Sequence, residues 1–215
     1  MESPLRCPSE PDFRLIETFG YRPGQGVSRL DLHLSRMARS AAALGIDFDR
    51  QRAGDQIAEI SGESALRCRL TLSPSGDLDI TTAPLTEVSR PWVVGIAQVC
   101  VQSGDPWLQH KTTRRQLYDQ ARANLPNGVD ELLFLNEQGD VCEGTITNVF
   151  LTLSSGLKVT PPLSSGLLPG VLRQQMLQTG KVAEQVVTEQ DLSAARSIAV
   201  GNSLRGLIPS KLLGR

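Results

Sequence analysis

Apolar positions change their spacing several times along the chain, and each change marks an element. From Phe13 to Phe19 the writing is strand-like. Between Ser28 and Leu44 the residues Leu30, Leu34, Met37, Ala41 and Leu44 recur at steps of three and four, which puts them on one helix face and leaves Arg36 and Arg39 off it. Gly45 is placed to end that helix. A second, polar helix is expected over 50–60. Beyond it Arg67, Arg69 and Thr71 alternate with Cys68, Leu70 and Leu72, the period of two that a half-buried strand requires. Segments 77–82 and 92–101 read as further strands, separated by turn signals at Pro74–Gly76 and Pro84.

Around Ser103-Gly104-Asp105-Pro106 the pattern breaks. Strands and helices then interleave: a helix over 112–124, strands near 131–135 and 141–153, a helix over 171–177, and a short buried strand over 197–200 before Gly201. Asn136-Glu137-Gln138-Gly139-Asp140 reads as a hairpin turn. No fixed-period repeat or low-complexity tract occurs. The expected organisation is two α/β or α+β lobes, a smaller one over 1–103 and a larger one over 104–215, with a site most naturally placed in the cleft between them.

Composition narrows the functions open to such a chain. Its 215 residues carry 22 basic and 23 acidic side chains, a formal net charge of −1, so no overall basic field exists to hold nucleic acid or an anionic membrane. Hydrophobic residues make up 40%, which is globular usage rather than that of a disordered chain. Cys7, Cys68, Cys100 and Cys142 are scattered, form no CxxC pair and have only His33 and His110 to join them, so structural zinc is not expected. The first twenty residues hold no apolar core, and no later apolar run approaches the ~18 residues of a bilayer span. A cytoplasmic protein with free thiols is the expectation.

Four stretches carry candidate chemistry. Leu163-Ser164-Ser165-Gly166-Leu167-Leu168-Pro169-Gly170-Val171-Leu172-Arg173 is a Gly/Pro loop running into a helix, whose first N–H groups make a phosphate cradle; it is also ordinary writing for a tight connection. Gly201-Asn202-Ser203-Leu204-Arg205-Gly206 offers polar side chains and a cation to a phosphate or carboxylate, although glycine-flanked Asn-Ser is common turn chemistry. Glu143-Gly144-Thr145-Ile146-Thr147-Asn148-Val149-Phe150 puts a carboxylate inside a β-forming run. Burial there is costly unless a cation or donor meets it, and a protonated pyridine nitrogen is one such partner; the alternative is an exposed edge strand with Glu143 in water. His110-Lys111-Thr112-Thr113-Arg114-Arg115-Gln116-Leu117-Tyr118 sets a lysine where strand gives way to helix, either as an amine nucleophile and base or as part of a solvated basic face.

Taken together and in this order, lysine, glutamate, Gly-Leu-Leu-Pro-Gly-Val-Leu-Arg and Gly-Asn-Ser-Leu-Arg-Gly resemble the fold-type IV pyridoxal-phosphate enzymes. Ile16-Glu17-Thr18-Phe19 and His33-Leu34-Ser35-Arg36-Met37 resemble that family's amino-terminal signature, so the likeness runs from about Phe13 to Pro209. It implies a two-domain α/β (α+β) fold like that of the D-amino-acid aminotransferases, with a shortened N-terminal domain, and a homodimer. It also implies a pyridoxal 5′-phosphate site: Lys111 as the aldimine lysine, Glu143 on the pyridine nitrogen, Arg36 on the phosphate, the N–H groups of Val171 and Leu172 as phosphate cradle, and Asn148, Asn202 and Ser203 as further cofactor contacts. Tyr118 is placed to reach the cofactor's phenolic oxygen.

Within the family the lysine and Asn-Ser motifs look most like 4-amino-4-deoxychorismate lyases, which release 4-aminobenzoate and pyruvate in folate synthesis. Lys111 then doubles as base, and Thr18 matches a pocket threonine that protonates the leaving group. Ser73-Pro74-Ser75-Gly76 lacks the arginine that members often carry there, so Arg67, Arg69 and Arg205 are the candidate substrate carboxylate partners. The alternatives are a class IV aminotransferase acting on branched-chain or D-amino acids, and a non-catalytic relative that binds the cofactor.

Overall fold

The structure is a computed structural model that describes residues 5, 7, 8, 10 and 12–214; part of the leading stretch read for a targeting segment therefore lies outside the described residues. The chain divides into two compact units, Met1–Glu87 with His110–Arg114, and Val88–Gln109 with Arg115–Arg215. The second unit thus begins before residue 103, and the segment holding Lys111 belongs to the first.

In the first unit β1 (Leu15–Arg22), β2 (Gly26–Val27), β3 (Leu66–Leu72) and β4 (Leu78–Pro84) form an antiparallel sheet in the order β2-β1-β3-β4. The alternation foreseen in β3 is realised, with Cys68, Leu70 and Leu72 buried and Arg67 and Arg69 exposed. Helix α1 (Leu30–Leu44) packs on β1 through the expected stripe, Leu34, Met37, Ala41 and Leu44, all buried. It ends at Gly45 because that residue takes φ 67 and donates its N–H back to Ala41 and Ala42, a left-handed stop that costs glycine little. Helix α2 (Arg50–Ala58) starts where the Asp49 carboxylate accepts from the Arg52 N–H at 2.9 Å.

The helix expected from residue 112 begins four residues later, as α3 (Gln116–Ala123). Residues 111–113 are held extended instead. The Lys111 carbonyl accepts from the Ile16 N–H at 2.8 Å, Thr112 bridges to Leu15, and the Thr113 N–H donates to the Arg14 carbonyl at 2.9 Å. Pairing with β1 competes for the same backbone groups that a first helical turn would use.

The second unit is built on β5 (Trp92–Ile96), β6 (Glu131–Leu135), β7 (Val141–Gly144), β8 (Asn148–Thr152), β9 (Lys158–Thr160), β10 (Ala183–Glu184), β11 (Ser197–Asn202) and β12 (Gly206–Leu212). Their order is β10-β9-β8-β11-β12-β5-β6-β7, and β7 also pairs with β8, so six strands close on themselves and leave only β9 and β10 outside the ring. Val94, Leu133, Val141, Val149, Val200 and Ile208 belong to the same buried core. The run expected over 141–153 is two strands, because Thr145–Thr147 reverse the chain, with the Gly144 N–H donating to the Thr147 carbonyl at 2.7 Å. Helix α4 (Val171–Gln178) lies where expected. Helix α5 (Glu189–Ala194), capped reciprocally by Thr188 and Asp191, and strands β9, β10 and β12 carry too few residues or too little alternation to stand out in the sequence.

The mixed α/β class holds. Leu133 is fully buried in the ring, and Leu133→Ala is expected to lower unfolding free energy by about 2–5 kcal/mol, read as a lower urea midpoint with unchanged slope.

Candidate active site

Glu143 lies on β7 and is only 6% exposed, so the reading of it as a water-exposed edge residue is excluded. Directly across the ladder is Asn148, and across the next is Gly201, which sets three sequence motifs side by side on neighbouring strands. Asn148 in turn donates from Nδ2 to the Leu168 carbonyl at 3.0 Å, tying β8 to the loop ahead of α4. Only glycine fits at position 170, since a Cβ there would stand 1.8 Å from the Asn148 Oδ1. Gly170 is also the α4 N-cap and offers no side-chain cap, so the N–H groups of Val171 and Leu172 open the helix as unsubstituted donors of the kind that bind phosphate. A Cβ at Gly201 would come within 2.6 Å of the Gly206 carbonyl and 3.0 Å of Leu172, a close approach that packs the Asn-Ser loop against the same helix end.

Asn202 is spent mostly on that loop: its Nδ2 donates to the Ile146 carbonyl at 3.1 Å, and its Oδ1 accepts from the Leu204 and Arg205 N–H groups at 3.1 and 2.9 Å. It shapes the turn that presents Ser203. The Arg205 guanidinium lies 6.0 Å from the centre of the Trp92 ring.

Two carboxylate interactions at β7 and the reversal after it were not foreseen. Tyr118 on α3 donates its hydroxyl to Glu143 Oε1 at 2.8 Å. Burial, then the neighbouring Glu143, push the tyrosine pKa far above its usual range, which keeps it a neutral donor. The second is Glu131, fully buried beneath the Thr145–Thr147 reversal. It accepts from the Thr145 N–H and hydroxyl at 3.0 and 2.5 Å, from the Thr147 hydroxyl at 3.0 Å and from the Ile146 N–H at 3.3 Å, with Arg122 at 3.6 Å. An acid inside Glu131-Leu132-Leu133-Phe134-Leu135 is the same signal that picked out Glu143.

In the first unit, β1 sends Glu17 and Thr18 to opposite faces. On the face under α1, Arg36 holds Glu17 through Nε to Oε1 at 2.8 Å and Nη2 to Oε2 at 2.7 Å, while His33 Nδ1 lies 2.6 Å from the same Oε2. Burial raises the Glu17 pKa, but the Arg36 charge and the His33 and Arg36 hydrogen bonds outweigh it and bring the carboxyl down to about 2. Burial keeps His33 neutral by lowering its pKa, so its Nδ1 donates to an ionised acceptor. On the opposite face Thr18 pairs directly with Arg69, and Gly20 with Arg67, so the candidate proton donor and two candidate carboxylate partners share one surface. Lys111 runs beside β1, and His110 Nδ1 meets the Ser40 hydroxyl at 2.9 Å.

Among the described residues no cluster of His, Cys, Asp or Glu could hold a metal, and no helix is long and apolar enough to cross a membrane. A closed ring of strands packs a buried carboxylate, an asparagine and an uncapped helix start together. The family described as amino-transferase class IV matches residues 14–213, and the chain belongs to it, a family of generally pyridoxal-phosphate-dependent enzymes. A Schizosaccharomyces pombe protein described as "Putative aminodeoxychorismate lyase" is 29% identical over 199 residues, which are 86% of this chain and 84% of the relative. A Mesorhizobium loti crystal structure titled as a "Putative amino-acid aminotransferase" is 42% identical with TM-score 0.89, covering 94% of this chain and all of its own. The 4-amino-4-deoxychorismate lyase of Pseudomonas aeruginosa shares the fold at TM-score 0.80 and 21% identity, covering 94% of this chain and 83% of its own.

The Glu17 cluster has a measurable pH signature. Its folded pKa of about 2 lies below the ordinary 4.5, so the pair stabilises the fold fully above 4.5, and that contribution is lost as pH falls toward 2. Denaturant midpoints should drop across this window. Glu17→Gln should flatten that part of the profile while costing about 3–5 kcal/mol at neutral pH, because Arg36 stays buried without its anion.

Proposed function

We propose that this protein is a pyridoxal-phosphate-dependent lyase that converts 4-amino-4-deoxychorismate into 4-aminobenzoate and pyruvate. The carrying observation is the buried Glu143 flanked by Asn148, with the uncapped start of α4 tied to the same strands. That set suits a phosphorylated pyridine, with a carboxylate for the ring nitrogen and backbone N–H groups for the phosphate, and Ser203 and Arg36 are assigned as further phosphate contacts.

When bound, pyridoxal phosphate supplies an electron sink for the bond that breaks at the substrate's ring carbon. Lys111 provides the amine that holds the cofactor and the base that takes the ring-carbon proton. Glu143 holds a proton at the pyridine nitrogen. Thr18 delivers a proton toward the departing enolpyruvyl group, which ends as pyruvate. Arg67 and Arg69, on Thr18's face of the small sheet, and Arg205 bind the substrate carboxylates. The active species is a homodimer, and the free thiols of Cys7, Cys68, Cys100 and Cys142 suit a reducing cytoplasm.

A second reading, a class IV aminotransferase using the same lysine, is favoured by the 42% identity to the Mesorhizobium loti protein. A cofactor-binding protein without activity is the third. It is disfavoured because binding alone does not require an acid at the ring nitrogen.

With aminodeoxychorismate and no keto-acid acceptor, the protein should release pyruvate, and Lys111→Ala should lower the rate at least about 100-fold and abolish the visible band formed on adding pyridoxal phosphate. Turnover only after a keto acid is supplied would identify the aminotransferase; absence of the band in the unaltered protein would refute all cofactor readings. Replacing Arg67, Arg69 and Arg205 together by alanine should raise KM by about tenfold or more. An unchanged KM would remove them from the site. Light scattering that finds a monomer would count against the dimer.

A further inference from the structure

The Glu143 carboxylate and the chain reversal after it are held by two neighbours. From below, Glu131 locks the Thr145–Thr147 reversal that follows it. From the side, Tyr118 reaches Oε1 at 2.8 Å from a ring that is itself fixed. The ring stands edge-on to Phe134 with centroids 5.0 Å apart and a 69° interplanar angle, and the Arg115 guanidinium lies 5.8 Å from its centroid. Arg115 is in turn anchored, through Nη2 to the Thr145 carbonyl at 3.0 Å and through Nε to Asp119 at 2.7 Å. The neighbouring Cys142 thiol is pushed up to about 12, first by burial, and stays neutral.

We propose that Tyr118 is a positioning residue for Glu143: its hydroxyl fixes the rotation of the carboxylate and keeps it the ionised, accepting partner, so that a proton shared with a pyridine ring rests on the ring nitrogen. A carboxylate in so dry a place otherwise competes for that proton, because burial favours its neutral form. One charge-assisted hydrogen bond is enough to tilt the balance. The role assigned to Glu143 rests on the proposed pyridoxal-phosphate site, but the hydrogen bond and its consequence for the carboxylate do not.

Tyr118→Phe keeps the ring against Phe134 and removes only the hydroxyl. In cofactor-free protein carrying ¹³C-carboxyl glutamate, with the Glu143 resonance assigned through Glu143→Gln, the Glu143 titration midpoint should move up by about one unit or more. Site-specific 3,5-difluorotyrosine at 118, a stronger donor of nearly the same shape, should move it down, and it decides the matter if the phenylalanine variant does not fold. With ¹⁵N-labelled pyridoxal phosphate bound, the ring-nitrogen resonance should shift from the pyridinium position toward neutral pyridine in Tyr118→Phe. Midpoints unmoved in both variants would overturn the proposal. Failure of the unaltered protein to bind the labelled cofactor would overturn the cofactor reading alone, since the ¹³C titration stands without it.

Discussion

The need to satisfy buried carboxylates governs this structure. A carboxylate withdrawn from water loses hydration that must be replaced donor by donor, and here three acids, Glu17, Glu131 and Glu143, are all nearly or fully buried. Each is met differently. Glu17 takes a guanidinium and an imidazole, Glu131 takes two backbone N–H groups and two threonine hydroxyls, and Glu143 takes a phenol. The choice of donor matches the task. Arg36 and His33 join α1 to β1, the threonines bind a chain reversal to the neighbouring strand, and the phenol ties α3 to β7.

Around that acid the backbone does much of the chemistry. Glycines at 170 and 201 stand where any side chain would strike Asn148, Leu172 or the Gly206 carbonyl, so the strand ends, the loop and the first turn of α4 can pack without intervening atoms. The first N–H groups of α4 are left without a side-chain cap, and backbone donors of that kind can meet a phosphate-sized anion without a dedicated cation.

The small sheet divides its labour by face. One side of β1 is committed to Glu17 and α1, and the other offers Thr18 in register with Arg69. Because the side chains of a strand alternate, adjacent residues in Ile16-Glu17-Thr18-Phe19 face different surroundings, Glu17 toward α1 and Thr18 toward the surface it shares with Arg69.

Local pattern sufficed for α1, whose apolar stripe and terminal Gly45 were plain, for β3 with its strict alternation, and for α4 behind its Gly/Pro loop. The order of the lysine, glutamate, glycine-loop and Asn-Ser motifs pointed to the family. Periodicity could not reveal that 111–113 would pair with β1 rather than begin a helix, that 141–153 would fold back on itself, or that the ring of strands would close through β7 and β8. Nor could it match donors to acids: Tyr118 and Glu143 stand 25 residues apart, Glu131 and Thr145 14, and Arg36 and Glu17 19. Hydropathy and spacing are properties of neighbours along the chain, whereas satisfying a buried charge depends on which distant donors the folded backbone brings within 3 Å, and only the tertiary structure makes that selection.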